Sequence, residues 1–191
     1  MDIGQLKDSM RHQLKTTRYQ HCIGAEEISC DLAVIYGYDM EKAAIAGILH
    51  DCAKYLSDAE LLNECRKHQL PVSEVEALNV QLLHAKVGAF LAKERFGIED
   101  EEILNAIYYH TTGRPGMSLL EKIIFTADYI EPYRRELPGI DAIREAAYDK
   151  LDLAVAMILK NTLEYLRNTG EAIDTMTEDT YEYYKQALEA E

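Results

Sequence analysis

The stretch "AIAGILHDCAKYL", residues 44–56, has the apolar spacing of a buried helix, yet it carries His50, Asp51 and Lys54 within five positions. Taking such groups out of water without partners costs several kcal/mol each. Their immediate neighbours are aliphatic, so whatever compensates them must arrive from other parts of the chain.

A chain of 191 residues is long enough for one domain with a sizeable core. With 48 % hydrophobic and 28 % charged residues it has the profile of a soluble globular protein, and no run reaches the roughly 18 apolar residues of a membrane span. The N-terminal "MDIGQLKDSMRHQLKTTRYQ" lacks a signal-peptide core, so a cytoplasmic location is expected. The formal charge of −14, from 20 Lys+Arg against 34 Asp+Glu, disfavours nucleic acid and anionic membrane as partners. An anionic ligand must therefore meet cations gathered inside a pocket. Cys22, Cys30, Cys52 and Cys65 show no CxxC spacing and read as free thiols.

Nearly every segment has the helical period and none reads as a strand. Ile3, Leu6, Met10 and Leu14 form a stripe behind Asp2, a second helix runs from about Thr17 to Tyr36 before Gly37, and Asp39 caps the helix that holds the opening stretch. Ser57 or Asp58 starts another. Ser73 with Glu76 has the form of a capping box and introduces helical sequence through His84 to Phe96. Asp100 precedes "EEILNAIYYH", Ser118 with Glu121 is a second capping box, and Pro132 ends the helix it opens. Helices at about 142–149, 152–168 and 178–189 complete a single all-α domain, with a core over about 15–175.

Five of these helices bring His or Asp to an apolar face: His21, the pair His50-Asp51, His84, His110 and Asp128. Gly24, Gly47 and Gly88 lie three or four residues from a histidine, on its own helix face, as expected if helices approach closely around something compact. Tight packing without any ligand is the competing explanation. Imidazole nitrogen and carboxylate oxygen are ligands for first-row divalent metals. Four histidines and two aspartates exceed what one catalytic ion takes from protein and suit two ions about 3.5–4 Å apart. Asp51, with two oxygens beside a ligand, is the natural bridge.

In order and approximate spacing, His21, His50-Asp51 and Asp128 resemble the signature of the HD superfamily of metal-dependent phosphohydrolases, and His84 with His110 resembles its two-metal version. "RYQHCIGA", "GILHDCAKYL", "HAKVGA", "YHTTGRPGMS" and "ADYIEPYR" are similar to segments of the bacterial YqeK group, symmetrical diadenosine tetraphosphate hydrolases. The resemblance implies a single HD-domain helical bundle over 1–191. It implies one ion on His21, His50, Asp51 and Asp128, and a second on His84, His110 and Asp51. Iron is the implied metal, with manganese, cobalt or nickel compatible. It also implies cleavage of a dinucleoside polyphosphate to two ADP by a two-metal-activated hydroxide. The oligomeric state is left open, a homodimer included.

Cations stand near these positions. Arg18 precedes His21 by three residues, Lys54 follows His50 by four, Arg114 lies in a Gly-Pro-Gly loop after His110, and Arg134 and Arg135 follow Asp128. Substrate contacts are expected from Arg18, Lys54, His84, His110, Arg114 and Arg134, and catalytic roles from Asp51, which orients the hydroxide, and Lys54, which offsets phosphoryl charge. Blander partners exist: Glu131 for Arg134 or Arg135, and Asp51 for Lys54. Tyr108, Tyr109, Tyr129 and Tyr133 flank the set and either stack on a base or pack in the core. His12 and His68 read as solvated, and "RNTGEAIDTMT", 167–177, as a lip by resemblance. An HD hydrolase of another nucleotide or alarmone, and a nucleotide-sensing module without turnover, are the alternatives.

Overall fold

Many of the helices start where a capping side chain precedes an apolar period, whereas those over Thr16–Ile35 and Leu151–Thr169 start without one. In the computed structural model, which describes residues 2–134 and 137–189, α1 (Ile3–Gln13) starts at Asp2. The Asp2 carboxylate accepts from the Gln5 N–H at 2.9 Å while the Gln5 side chain accepts from the Asp2 N–H. α2 (Thr16–Ile35) closes before Gly37, whose φ of 67° suits glycine. Asp39 caps α3 (Met40–Leu49) by accepting from the Glu41 and Lys42 N–H groups. Capping boxes at Ser57, Ser73 and Ser118 open α4 (Asp58–Lys67), α5 (Glu74–Leu78) and α8 (Leu119–Ile130). A 3₁₀ turn, Val80–Leu82, precedes α6 (Leu83–Phe96), and Asp100 caps α7 (Glu101–Tyr109). The chain ends with α9 (Ile140–Asp149), α10 (Leu151–Thr169), α11 (Thr175–Tyr184) and α12 (Gln186–Glu189). Among the described residues there is no strand, so the all-α expectation holds.

Three boundaries differ from the sequence reading. The helix containing the opening stretch stops at Leu49, and residues 50–55 continue as tight turns. The bonds from Cys52 N to Leu49 O and from Lys54 N to Asp51 O span three residues rather than four. The helical sequence expected from Ser73 to Phe96 breaks at Asn79, whose φ of −126° and ψ of 79° are not helical. The last helix begins at Thr175, with Asp174 as its cap, and is interrupted before α12. Each of the first two breaks lies at a histidine or just before one.

α2 packs on α3 and α8, α7 on α6, α3 and α8, and α10 covers α8 and α9. Their shared core includes Leu32, Ile48, Leu49, Leu83, Ile107, Leu120, Ile123 and Ile124, all fully buried. No helix among the described residues is long and apolar enough to cross a membrane. Two of the three histidine-face glycines mark close approaches. A Cβ on Gly47 would lie 2.8 Å from Glu26 Cα, and one on Gly24 would lie 2.6 Å from Glu131 Oε2. Gly88 differs: its nearest neighbour would stand at an ordinary 3.5 Å.

Gly47→Ala must push α2 backbone away and should cost about 1–3 kcal/mol in urea unfolding. Gly88→Ala should be neutral or stabilising, by up to about 1 kcal/mol, because alanine is the better helix former.

Candidate metal centre

His21 sits in the second turn of α2, His50 at the C-terminal cap of α3 with Asp51 next to it, His84 in the first turn of α6, His110 at the C-terminal cap of α7, and Asp128 near the end of α8. The fold brings all six side chains together. His50 is fully buried, and His21, Asp51, His84 and His110 are buried with it. Nε2 of His21 lies 3.1 Å from Nε2 of His50 and 3.0 Å from Asp128 Oδ1. Asp51 Oδ2 faces this group at 3.7 Å from His21 Nε2 and 3.6 Å from His50 Nε2. Its other oxygen, Oδ1, faces a second pair, 3.1 Å from His84 Nε2 and 3.7 Å from His110 Nε2, and those two nitrogens are 3.1 Å apart. His21, His50 and Asp51 form one metal-sized group and Asp51, His84 and His110 another, sharing the one carboxylate.

The local structure decides which nitrogen faces inward. Nδ1 of His50 donates to the Gly47 carbonyl at 2.7 Å and Nδ1 of His110 to the Ile107 carbonyl at 2.7 Å. Nδ1 of His84 meets the Gln81 carbonyl. These carbonyls lie at helix or 3₁₀ ends, where the backbone lacks intrahelical partners. That is why the opening helix stops early. His21 is inside its helix and has no free carbonyl, so its Nδ1 uses the carboxylate of Glu131, at 3.0 Å. With Nδ1 protonated, Nε2 of His50, His84 and His110 offers a lone pair to the centre, and that of His21 does so once its second proton leaves. Two lone pairs facing at 3.1 Å, as in His84 and His110, call for a cation between them. Imidazole and carboxylate donors without thiolate fit first-row metal ions, and the chain's clusters are able to hold them.

Charges respond accordingly. Burial works against the His21 imidazolium, but the Asp128 and Glu131 carboxylates outweigh it and raise its pKa to about 9. Burial pushes His50 down to about 4. Burial also opposes charge on Asp51 and Asp128; the imidazoles around Asp51, and His21 with Arg134 beside Asp128, still hold both carboxyls well below their usual range. Burial lowers Lys54.

The centre opens into a cavity of about 330 Å³ lined by Arg18, Asp51, Lys54, His84, His110, Asp128 and Arg134, among others. Arg18 Nη1 donates to Asp51 Oδ2 at 2.8 Å, the pairing expected of Lys54 on the bland reading. Lys54 Nζ stands 3.2 Å from His84 Nδ1, and Arg134 donates to Asp128 Oδ1 at 3.1 Å rather than to Glu131. Arg114 is not brought to this group. Its guanidinium clasps the buried Glu121 carboxylate at 2.8 and 2.9 Å and stacks on Tyr109, because Glu121 would otherwise be an unpaired buried charge. Arg135 lies outside the described residues. Tyr129 lines the central cavity, Tyr108 and Tyr109 line a neighbouring one, and Tyr133 is exposed. His12 is exposed as expected, whereas His68 is half-buried against Phe90 at 4.0 Å. The sequence reading offered Glu131 only as a partner for Arg134 or Arg135 and missed its place behind His21. Its position three residues after Asp128 was visible, but its full burial and its contact with a histidine 110 residues away were not.

An all-α core around paired His/Asp clusters is the frame of a metal-dependent hydrolase. The HD domain family matches residues 18–133, and the chain belongs to that family. It is similar to the symmetrical bis(5'-nucleosyl)-tetraphosphatase of Halalkalibacterium halodurans, 43 % identical over 95 % of this chain and 96 % of the relative. The enzyme of the same name from Bacillus subtilis is 40 % identical over 91 % of this chain and 92 % of its own length. The crystal structure of a predicted HD superfamily hydrolase involved in NAD metabolism from Clostridium acetobutylicum superposes with a TM-score of 0.93 at 40 % identity, covering 98 % of both chains.

Arg114→Ala should act through stability, lowering it by about 2–3 kcal/mol in urea titration, below a fully buried pair because the guanidinium is partly exposed. In the ion-free chain His21 carries a proton at pH 7. Ion binding must expel it, so calorimetry in buffers of different ionisation enthalpy should find roughly one proton released per chain at pH 7. The release should fade, and apparent affinity should rise, as pH approaches about 9.

Proposed function

We propose that the chain hydrolyses dinucleoside polyphosphates, cutting the central anhydride of diadenosine tetraphosphate to give two ADP. The observation that carries this reading is where Asp51 and its two imidazole pairs lie along a groove. On the His84–His110 side the central cavity shares Leu82 and Thr111 with a cavity of about 180 Å³ that includes Tyr108, Tyr109 and Met176. On the Asp128 side it shares Tyr129, Arg134 and Thr162 with a cavity of about 480 Å³ that includes Leu137, Pro138 and Tyr165. A polyphosphate crossing the centre with one nucleoside at each end would carry its middle bond over Asp51. The names of the Halalkalibacterium and Bacillus relatives support the same symmetrical cut.

On this reading His21, His50, Asp51 and Asp128 would hold one ion, and Asp51, His84 and His110 a second. Bound there, the two ions supply Lewis acidity to a phosphoryl oxygen and an activated water as nucleophile. Asp51 orients both halves because each of its oxygens serves one of them. Arg18 and Arg134 rest on Asp51 and Asp128, and with those carboxylates engaged by ions their guanidinium groups would be free to bind phosphoryl oxygens. Lys54, lining the same cavity, offsets charge that develops on the transferred phosphoryl or the leaving ADP. We take the ions to be iron, a metal that suits imidazole and carboxylate donors. Four free cysteines fit a reducing compartment, and we place the enzyme in the cytoplasm.

Incubating the ion-loaded chain with diadenosine tetraphosphate should yield ADP alone on chromatography; AMP with ATP, or no product, would overturn the proposal. Asp51→Ala should lose most of both ions by elemental analysis and turnover with them, whereas full activity in the metal-free wild-type chain would rule out the mechanism.

A further inference from the structure

Opposite charges stand behind the two halves of the centre. Behind His21 is Glu131, fully buried, one oxygen 3.0 Å from Nδ1 and the other accepting the Tyr133 N–H at 2.6 Å. Nδ1 of His84 meets the Gln81 carbonyl, as those of His50 and His110 meet theirs, but it also has the Lys54 ammonium beside it, Nζ at 3.2 Å. His50 and His110 meet only neutral carbonyls. The donor sets are unequal too. Two carboxylates, Asp51 and Asp128, face the His21–His50 pair, and Asp51 alone faces the other.

The anionic side is built into the packing. Glycine at 24 leaves room for the Glu131 carboxylate, since a Cβ there would fall 2.6 Å from Oε2 and 2.9 Å from the Tyr133 ring. A carboxylate on the far nitrogen of an imidazole fixes the ring and raises its basicity toward a metal. An ammonium beside the far nitrogen does the reverse and repels a divalent ion. The cations on the first half do not cancel the difference. Arg18 and Arg134 have side chains 40 % and 35 % exposed, and long stems that let them swing away.

We infer that the two halves bind cations unequally: the His21 half is the tight site, with Glu131 as its positioning residue, and the His84 half is a weaker, exchangeable site whose affinity Lys54 holds down. The inference rests on the proposal that the centre takes two ions. It makes the ion between His84 and His110 the one lost first on dilution or chelation.

The test uses the full chain loaded with cobalt(II) and dialysed against graded chelator, with bound cobalt counted and its visible absorption recorded. Wild-type chain should lose its ions in two steps of one each, and His84→Ala should retain only the ion of the resistant step. Glu131→Gln should weaken that resistant step roughly ten- to hundred-fold while leaving the absorption of the labile ion unchanged. Lys54→Met should narrow the gap from the other side, tightening the labile step several-fold. Should Glu131→Gln prove too unstable to fold, Lys54→Met decides alone, since Lys54 is only half-buried. A gap that survives either substitution in folded protein overturns the inference. Binding of fewer than two ions by the wild-type chain would instead overturn the two-ion proposal itself.

Discussion

A single buried carboxylate, Asp51, faces two pairs of imidazoles with one oxygen each. Around it the interior is aliphatic, so the charge survives only if cations stand nearby. At an effective dielectric of about 20, two unit charges 4 Å apart interact by about 4 kcal/mol. The Arg18 guanidinium supplies one such charge, reaching Asp51 Oδ2 at 2.8 Å. Nearly every departure from regular helix in the centre serves this one group.

The histidines illustrate how backbone chemistry serves the site. Three of them sit at helix ends or next to a 3₁₀ turn, where a carbonyl without an intrahelical partner accepts Nδ1–H. Only one orientation is then open to the ring, and its Nε2 points at the centre. His21 has no such carbonyl, and a buried carboxylate from α8 takes the role. A long helix contributes its ligand at the cost of importing a charge.

The distribution of cations completes the picture. In a chain of net charge −14, Arg18, Lys54 and Arg134 gather in one cavity. An acidic surface repels anions, so this gathering of cations beside the candidate ligands favours a phosphorylated ligand there. Cavities with aromatic walls on both sides extend the site to lengths that a single phosphate would not need.

Sequence by itself determined the helical class and most helix starts, because caps such as Asp2, Asp39, Ser73 and Ser118 act within three residues. It also determined the six candidate ligands, whose polarity on apolar faces is a local signal. What only tertiary structure decided is where helices yield: α3 stops at Leu49 and the 73–96 stretch breaks at Asn79, since the gain lies in contacts that form across the bundle. The same holds for partners. Arg114 looked like a phosphate contact by its place in a loop, yet a buried Glu121 claims it, and Glu131 gave no sign of its bond to His21. Spacing along a chain reports which face a residue shares; which charge it meets is decided by packing, over 7 residues for Arg114 and Glu121 and over 110 for His21 and Glu131.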